Sequence, residues 1–85
     1  MKKRLAEAVK LPKDVVLGAS VLTMLGNGEL YIENYRGIIE YTETLIRVQT
    51  KETQIRLSGK RLQIDYYTND EMKITGNVSS IEFCK

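Results

Sequence analysis

The stretch Leu45-Ile46-Arg47-Val48-Gln49-Thr50-Lys51-Glu52-Thr53-Gln54-Ile55-Arg56-Leu57-Ser58-Gly59-Lys60-Arg61-Leu62-Gln63-Ile64 decides the fold. Ile46 and Val48 flank Arg47, Ile55 and Leu57 flank Arg56, and Leu62 and Ile64 flank Gln63. Successive side chains of a strand point to opposite faces, so each apolar pair shares one face and its polar centre takes the other. Lys51-Glu52-Thr53 and Ser58-Gly59-Lys60 separate the runs and read as reversals.

The same pattern extends in both directions. Leu22 and Met24 flank Thr23, Leu30 and Ile32 flank Tyr31, and Ile39 and Tyr41 flank Glu40; later, Met72 and Ile74 flank Lys73, and Ile81 and Phe83 flank Glu82. Ile, Val and Thr make 21 of the 85 residues, a composition suited to strands. Gly26-Asn27-Gly28, Asn34-Tyr35-Arg36-Gly37, Thr68-Asn69-Asp70-Glu71 and Gly76-Asn77 supply further turns. Short strands at this spacing without intervening helices predict an all-β domain, a small sandwich or barrel of about seven or eight strands. A short β-solenoid is the alternative, ranked second because the steps are uneven.

Residues 1–14 differ in kind. Met1, Leu5, Ala8 and Val9 follow helical spacing, and Pro12 ends that pattern by Leu11. The expectation is a basic amphipathic helix and linker over 1–14, followed by a single β-domain over 15–85. Glu7 and Lys10 break any apolar core of a secretory signal.

The formal net charge of +2 is unevenly spread. Residues 1–14 hold five basic against two acidic side chains, and residues 15–85 hold eight against nine. A nearly neutral body lacks the broad basic field of a duplex-DNA binder. No apolar run is long enough to span a bilayer as a helix, so integral membrane insertion is not expected. With no His and one Cys, Cys84, the chain cannot build a His-based triad or a Cys/His zinc site alone. No catalytic residue, cofactor or metal is therefore expected.

The remaining candidates are surface features. Lys2, Lys3 and Arg4 offer a cationic patch for a protein partner or an anionic lipid surface, beside the plainer reading of a solubilising tail. Arg47, Arg56 and Lys73, with Arg61 nearby, would form a cationic strip if their strands lie side by side. Arg47 and Arg56 on neighbouring strands would repel unless Glu40, Glu82 or an anion compensates. The plainer reading is a solvated face whose charges blunt sheet edges. Glu40, Glu43, Asp65, Asp70 and Glu71 are ordinary solvated carboxylates unless the fold pairs them across a cleft.

Tyr31-Ile32-Glu33-Asn34-Tyr35-Arg36-Gly37-Ile38-Ile39-Glu40-Tyr41 carries more than periodicity. Together with Leu11-Pro12-Lys13-Asp14-Val15, Leu45-Ile46-Arg47-Val48, the run from Ile55 to Ile64 and Ile74-Thr75-Gly76-Asn77-Val78, it resembles the YabP/YqfC family of sporulation proteins, in its YqfC branch. The resemblance covers nearly the whole chain, and the Ile-Glu-Asn-x-Arg-Gly core is its most specific part. It implies a non-enzymatic protein of endospore formation, acting in the cytoplasm of the mother cell, in an assembly or adaptor role. The implied partner is another sporulation protein, membrane-associated or not, met by a chain peripheral to the forespore membrane; self-association is compatible with so small a core. The family supplies no catalytic residues. Its signature positions Glu33, Asn34, Arg36 and Gly37 read as a strand end and a reversal, with Arg36 paired to Glu33, or as a polar recognition tip. The alternative function is a nucleic-acid-binding small β-barrel of OB or Sm-like type, against which the weak basic character of the body argues.

Overall fold

The computed structural model describes residues 19–84. The helix and linker expected over 1–14 lie outside the described residues. The rest is six strands: β1 (Val21–Leu25), β2 (Glu29–Glu33), β3 (Gly37–Tyr41), β4 (Leu45–Gln49), β5 (Gln54–Tyr67) and β6 (Glu71–Cys84). They form one antiparallel sheet in the order β1-β2-β6-β5-β4-β3. The all-β expectation holds, and a continuous antiparallel ladder excludes the solenoid.

Eight alternating runs become six strands because two of the expected reversals are bends. The runs around Arg56 and Gln63 are both in β5, and those around Lys73 and Glu82 are both in β6. Gly59 and Gly76 sit where this long hairpin turns a corner. A Cβ on Gly59 would stand 2.0 Å from the Asn77 carbonyl oxygen, and one on Gly76 would stand 2.5 Å from that of Arg61. Gly76 also has φ +131°, which glycine alone adopts at little cost. Opposite it, Arg61 takes φ 55° and Leu62 turns into the core.

The corner divides the sheet into two halves. Beyond it, β2 pairs only with Glu71–Thr75 of β6, while β4 pairs only with Gln54–Ser58 of β5. Leu30, Ile32, Met72 and Ile74 from one half meet Ile46, Val48, Ile55 and Leu57 from the other, and Leu62 joins them from the bend. All nine are buried, and all belong to the apolar pairs marked by alternation. Thus a single sheet folds over on one core.

Strand β3 departs from the expected facing. Ile38 pairs with Val48 and Tyr41 with Ile46, but Glu40 pairs with Arg47, so Ile39 is an extra residue in a β-bulge. Ile38 therefore packs against the core, and Ile39 is left exposed. The β3–β4 turn contains no glycine. Thr42 shapes it instead, its Oγ1 accepting from the Leu45 amide at 2.9 Å while its own amide donates to the Leu45 carbonyl.

Candidate interaction surface

The register of the folded sheet places the predicted charges. On the outer face, Glu40, Arg47, Arg56 and Glu82 occupy one row across β3, β4, β5 and β6. Arg47 and Arg56 are direct cross-strand neighbours, the repulsive arrangement anticipated from sequence. Each is answered on its far side: Arg47 Nη1 lies 3.7 Å from Glu40 Oε1, and Arg56 Nη1 lies 3.6 Å from Glu82 Oε1. The row reads acid, base, base, acid. All four side chains are substantially open to water, so the pairs set the pattern of charge more than they stabilise the fold.

Lys73 does not join this strip. It lies in the other half, between Tyr31 on β2 and Tyr66 on β5. Its Nζ is 5.7 Å from the centre of the Tyr31 ring and 4.0 Å from Glu29 Oε2. Tyr31 first, and Glu29 after it, hold the ammonium above the ordinary lysine range, against the opposing effect of burial. Tyr66 donates to Glu71 Oε2 at 3.1 Å; partial burial and that hydrogen bond raise its phenol. The three-cation strip is thus corrected to a paired arginine row and a separate Lys73 site framed by tyrosines. The corner between the halves separates them. Arg61 lies at the corner, exposed, and Lys2, Lys3 and Arg4 lie outside the described residues.

The segment carrying Glu33, Asn34, Arg36 and Gly37 is a crossover rather than a hairpin turn. β2 and β3 are not neighbours, and the three residues between them carry the chain from one half of the sheet to the other. Asn34 supplies a left-handed residue at φ 64°, its amide donates to the Asp70 carbonyl at 2.7 Å, and its side-chain Nδ2 donates to the Ala19 carbonyl at 2.8 Å. The Arg36 amide donates to the Gln49 carbonyl at 2.7 Å. Tyr35 packs against the core, and its hydroxyl donates to the Thr68 carbonyl. Among the described residues the ion pairs are those of Arg47, Arg56 and Lys73, so the suggested Glu33–Arg36 pair is not formed. Asn34 and Tyr35, rather than that charge pair, fasten the crossover.

The side-chain hydrogen bonds of the described carboxylates run to neighbouring hydroxyls and one amide. Asp65 Oδ1 accepts from Thr75 at 3.0 Å and from Gln63 at 3.2 Å, and Glu71 accepts from Tyr66. Among the described residues no three His, Cys, Asp or Glu side chains gather as a metal set. What the surface does offer is apolar: Phe83, Tyr67 and Leu25 are exposed. Sequence reasoning missed Phe83 as a surface residue because alternation assigned it to the core face, where it does lie, beyond the reach of the core itself.

These features define a small folded-over antiparallel sheet with a charged row on its outer face. The chain belongs to the YabP family, whose description matches residues 17–85. It is 31% identical over 83 residues to a Bacillus subtilis (strain 168) protein named "Uncharacterized protein YqfC", a match spanning 98% of this chain and 89% of that protein. No solved structure matches.

Proposed function

We propose that this chain is a non-enzymatic assembly or adaptor protein of endospore formation, working through protein–protein contacts. Membership of the YabP family supports the link to sporulation. The observation that carries the contact role is the outer row of Glu40, Arg47, Arg56 and Glu82, two central bases flanked by two acids. Such a pattern selects a partner with acidic groups facing the two arginines and basic groups at the flanks, and it rejects a uniformly charged surface. Lys2, Lys3 and Arg4 add a second cationic contact, toward the same partner or toward the anionic membrane beside it.

Crosslinking in sporulating cells, followed by identification of what the chain captures, tests this. A specific sporulation protein is expected, with capture reduced by Arg47→Glu/Arg56→Glu and by Lys2→Glu/Lys3→Glu/Arg4→Glu. Absence of any specific partner, together with unchanged spores on deletion of the gene, would overturn the reading.

A further inference from the structure

Four strand borders have no strand pairing among the described residues: the outer sides of β1 and β3, β5 beyond its pairing with β4, and β6 beyond its pairing with β2. Three of them are short or blocked. β1 has five residues, and β3 is bulged at Ile39. Along β5, the amide of Leu62 donates to Glu43 and that of Ile64 donates to the Tyr41 hydroxyl.

The last border differs. The β1–β2 turn covers β6 only as far as Val78, whose amide donates to the Asn27 carbonyl. From Ser80 to Cys84, β6 stays in unbroken register with β5 and, among the described residues, has no strand on its other side. Sheets usually guard such a border with lysine, proline or an inward charge. Ser80-Ile81-Glu82-Phe83-Cys84 contains none of these, and its one charge, Glu82, is engaged with Arg56 on the outer face. Phe83 is the cross-strand neighbour of Ile55, yet Phe83 is 64% exposed where Ile55 is 1%. The core face therefore continues to this border, and none of the described residues covers it there.

We propose that two copies of the chain associate through this border, β6 against β6, antiparallel across a two-fold axis at Ile81. A two-fold contact places one strand opposite itself, so the strand must be self-complementary. With Ile81 on the axis, Ser80 lies opposite the partner's Glu82, and the two Glu82 carboxylates are diagonal to one another rather than directly opposed. Each Phe83 then lies diagonal to the partner's Ile81, within reach of an aromatic ring. An axis at Glu82 would instead set two carboxylates face to face. The half-sheet β6-β5-β4-β3 of each copy would continue into that of the other. This inference does not rest on the adaptor reading.

Sedimentation equilibrium of the full chain provides the test. The mass should rise with concentration from 9.7 kDa to twice that value. Phe83→Lys and Ser80→Glu should each weaken the dimer roughly tenfold, since every contact occurs twice across the axis. Ser80→Lys should leave it unchanged or tighter, because the new cation faces the partner's Glu82. Unchanged thermal unfolding of dilute protein shows that the variants fold. A single 9.7 kDa species at every concentration overturns the proposal. So does a dimer indifferent to Phe83→Lys and Ser80→Glu, or one that Ser80→Lys weakens as much as Ser80→Glu. If Phe83→Lys abolishes capture of a sporulation protein while the chain remains monomeric, the border serves another protein and the two-copy interface is refuted, with the adaptor reading left standing.

Discussion

Lys73 shows how a residue counted as one more surface cation acquires a role from its neighbours. Its raised ionisation comes first from Tyr31, and that of Tyr66 from partial burial and the bond to Glu71. Tyr35 is raised too, by burial, then by Tyr67 and Asp70. In all three the folded value exceeds the unfolded one. The stability they contribute is complete below the unfolded range, near pH 10, and is lost as pH rises through the folded values. Thermal midpoints followed by circular dichroism should therefore fall above about pH 10, and Tyr66→Phe should reduce the slope. A slope identical in Tyr66→Phe and the parent chain would count against this account. The sequence named Lys73 but not its setting, because the residues opposite it come from β2 and β5, 42 and 7 positions away along the chain. Arg47 and Arg56 were more legible, since a short turn between two alternating runs makes their centres face each other.

The elements were legible wherever alternation ran unbroken. Ile46, Val48, Ile55 and Leu57 landed in the core as the pattern required. Alternation misled at β3 for the isoleucines alone: the bulge puts Ile38 against the core and leaves Ile39 exposed, while Glu40 and Tyr41 keep the faces assigned to them, and no local signal in Gly37-Ile38-Ile39-Glu40-Tyr41 distinguishes the two isoleucines. Ile38→Lys should consequently cost about 2–4 kcal/mol, by burying part of an unpaired charge, whereas Ile39→Lys should change stability by less than about 0.5 kcal/mol. Equal effects in urea unfolding would contradict the bulge. Glycine-containing segments posed the second ambiguity, because reversal and bend use the same residue type. At Gly59 and Gly76 a close backbone approach requires the missing Cβ, and the chain continues rather than turning back. Gly76→Ala should thus destabilise by on the order of 3 kcal/mol, from strain at positive φ together with the clash against Arg61. A variant as stable as the parent chain would show that the bend does not depend on glycine there.

At the scale of the molecule, strand order was beyond reach of periodicity. β2 and β3 are consecutive and lie far apart in the sheet, because Asn34, Tyr35 and Arg36 cross between the halves instead of closing a hairpin. That crossover, the bent hairpin and Leu62 all bind the halves to one another, and neither half has an apolar layer of its own to bury against. Each half supplies four of the nine core residues, with Leu62 between them. The molecule should accordingly unfold as one cooperative unit, as small single domains commonly do. Leu57→Ala, made in the half containing β3 and β4, should cost about 2–5 kcal/mol. It should also lower the protection of the Leu30 and Ile32 amides in the opposite half as much as that of Val48 and Ile55. Native-state hydrogen exchange resolves these sites separately. Retained protection at Leu30 and Ile32 would mean that the half built on β1 and β2 persists alone, and that the shared core is not what holds the two together.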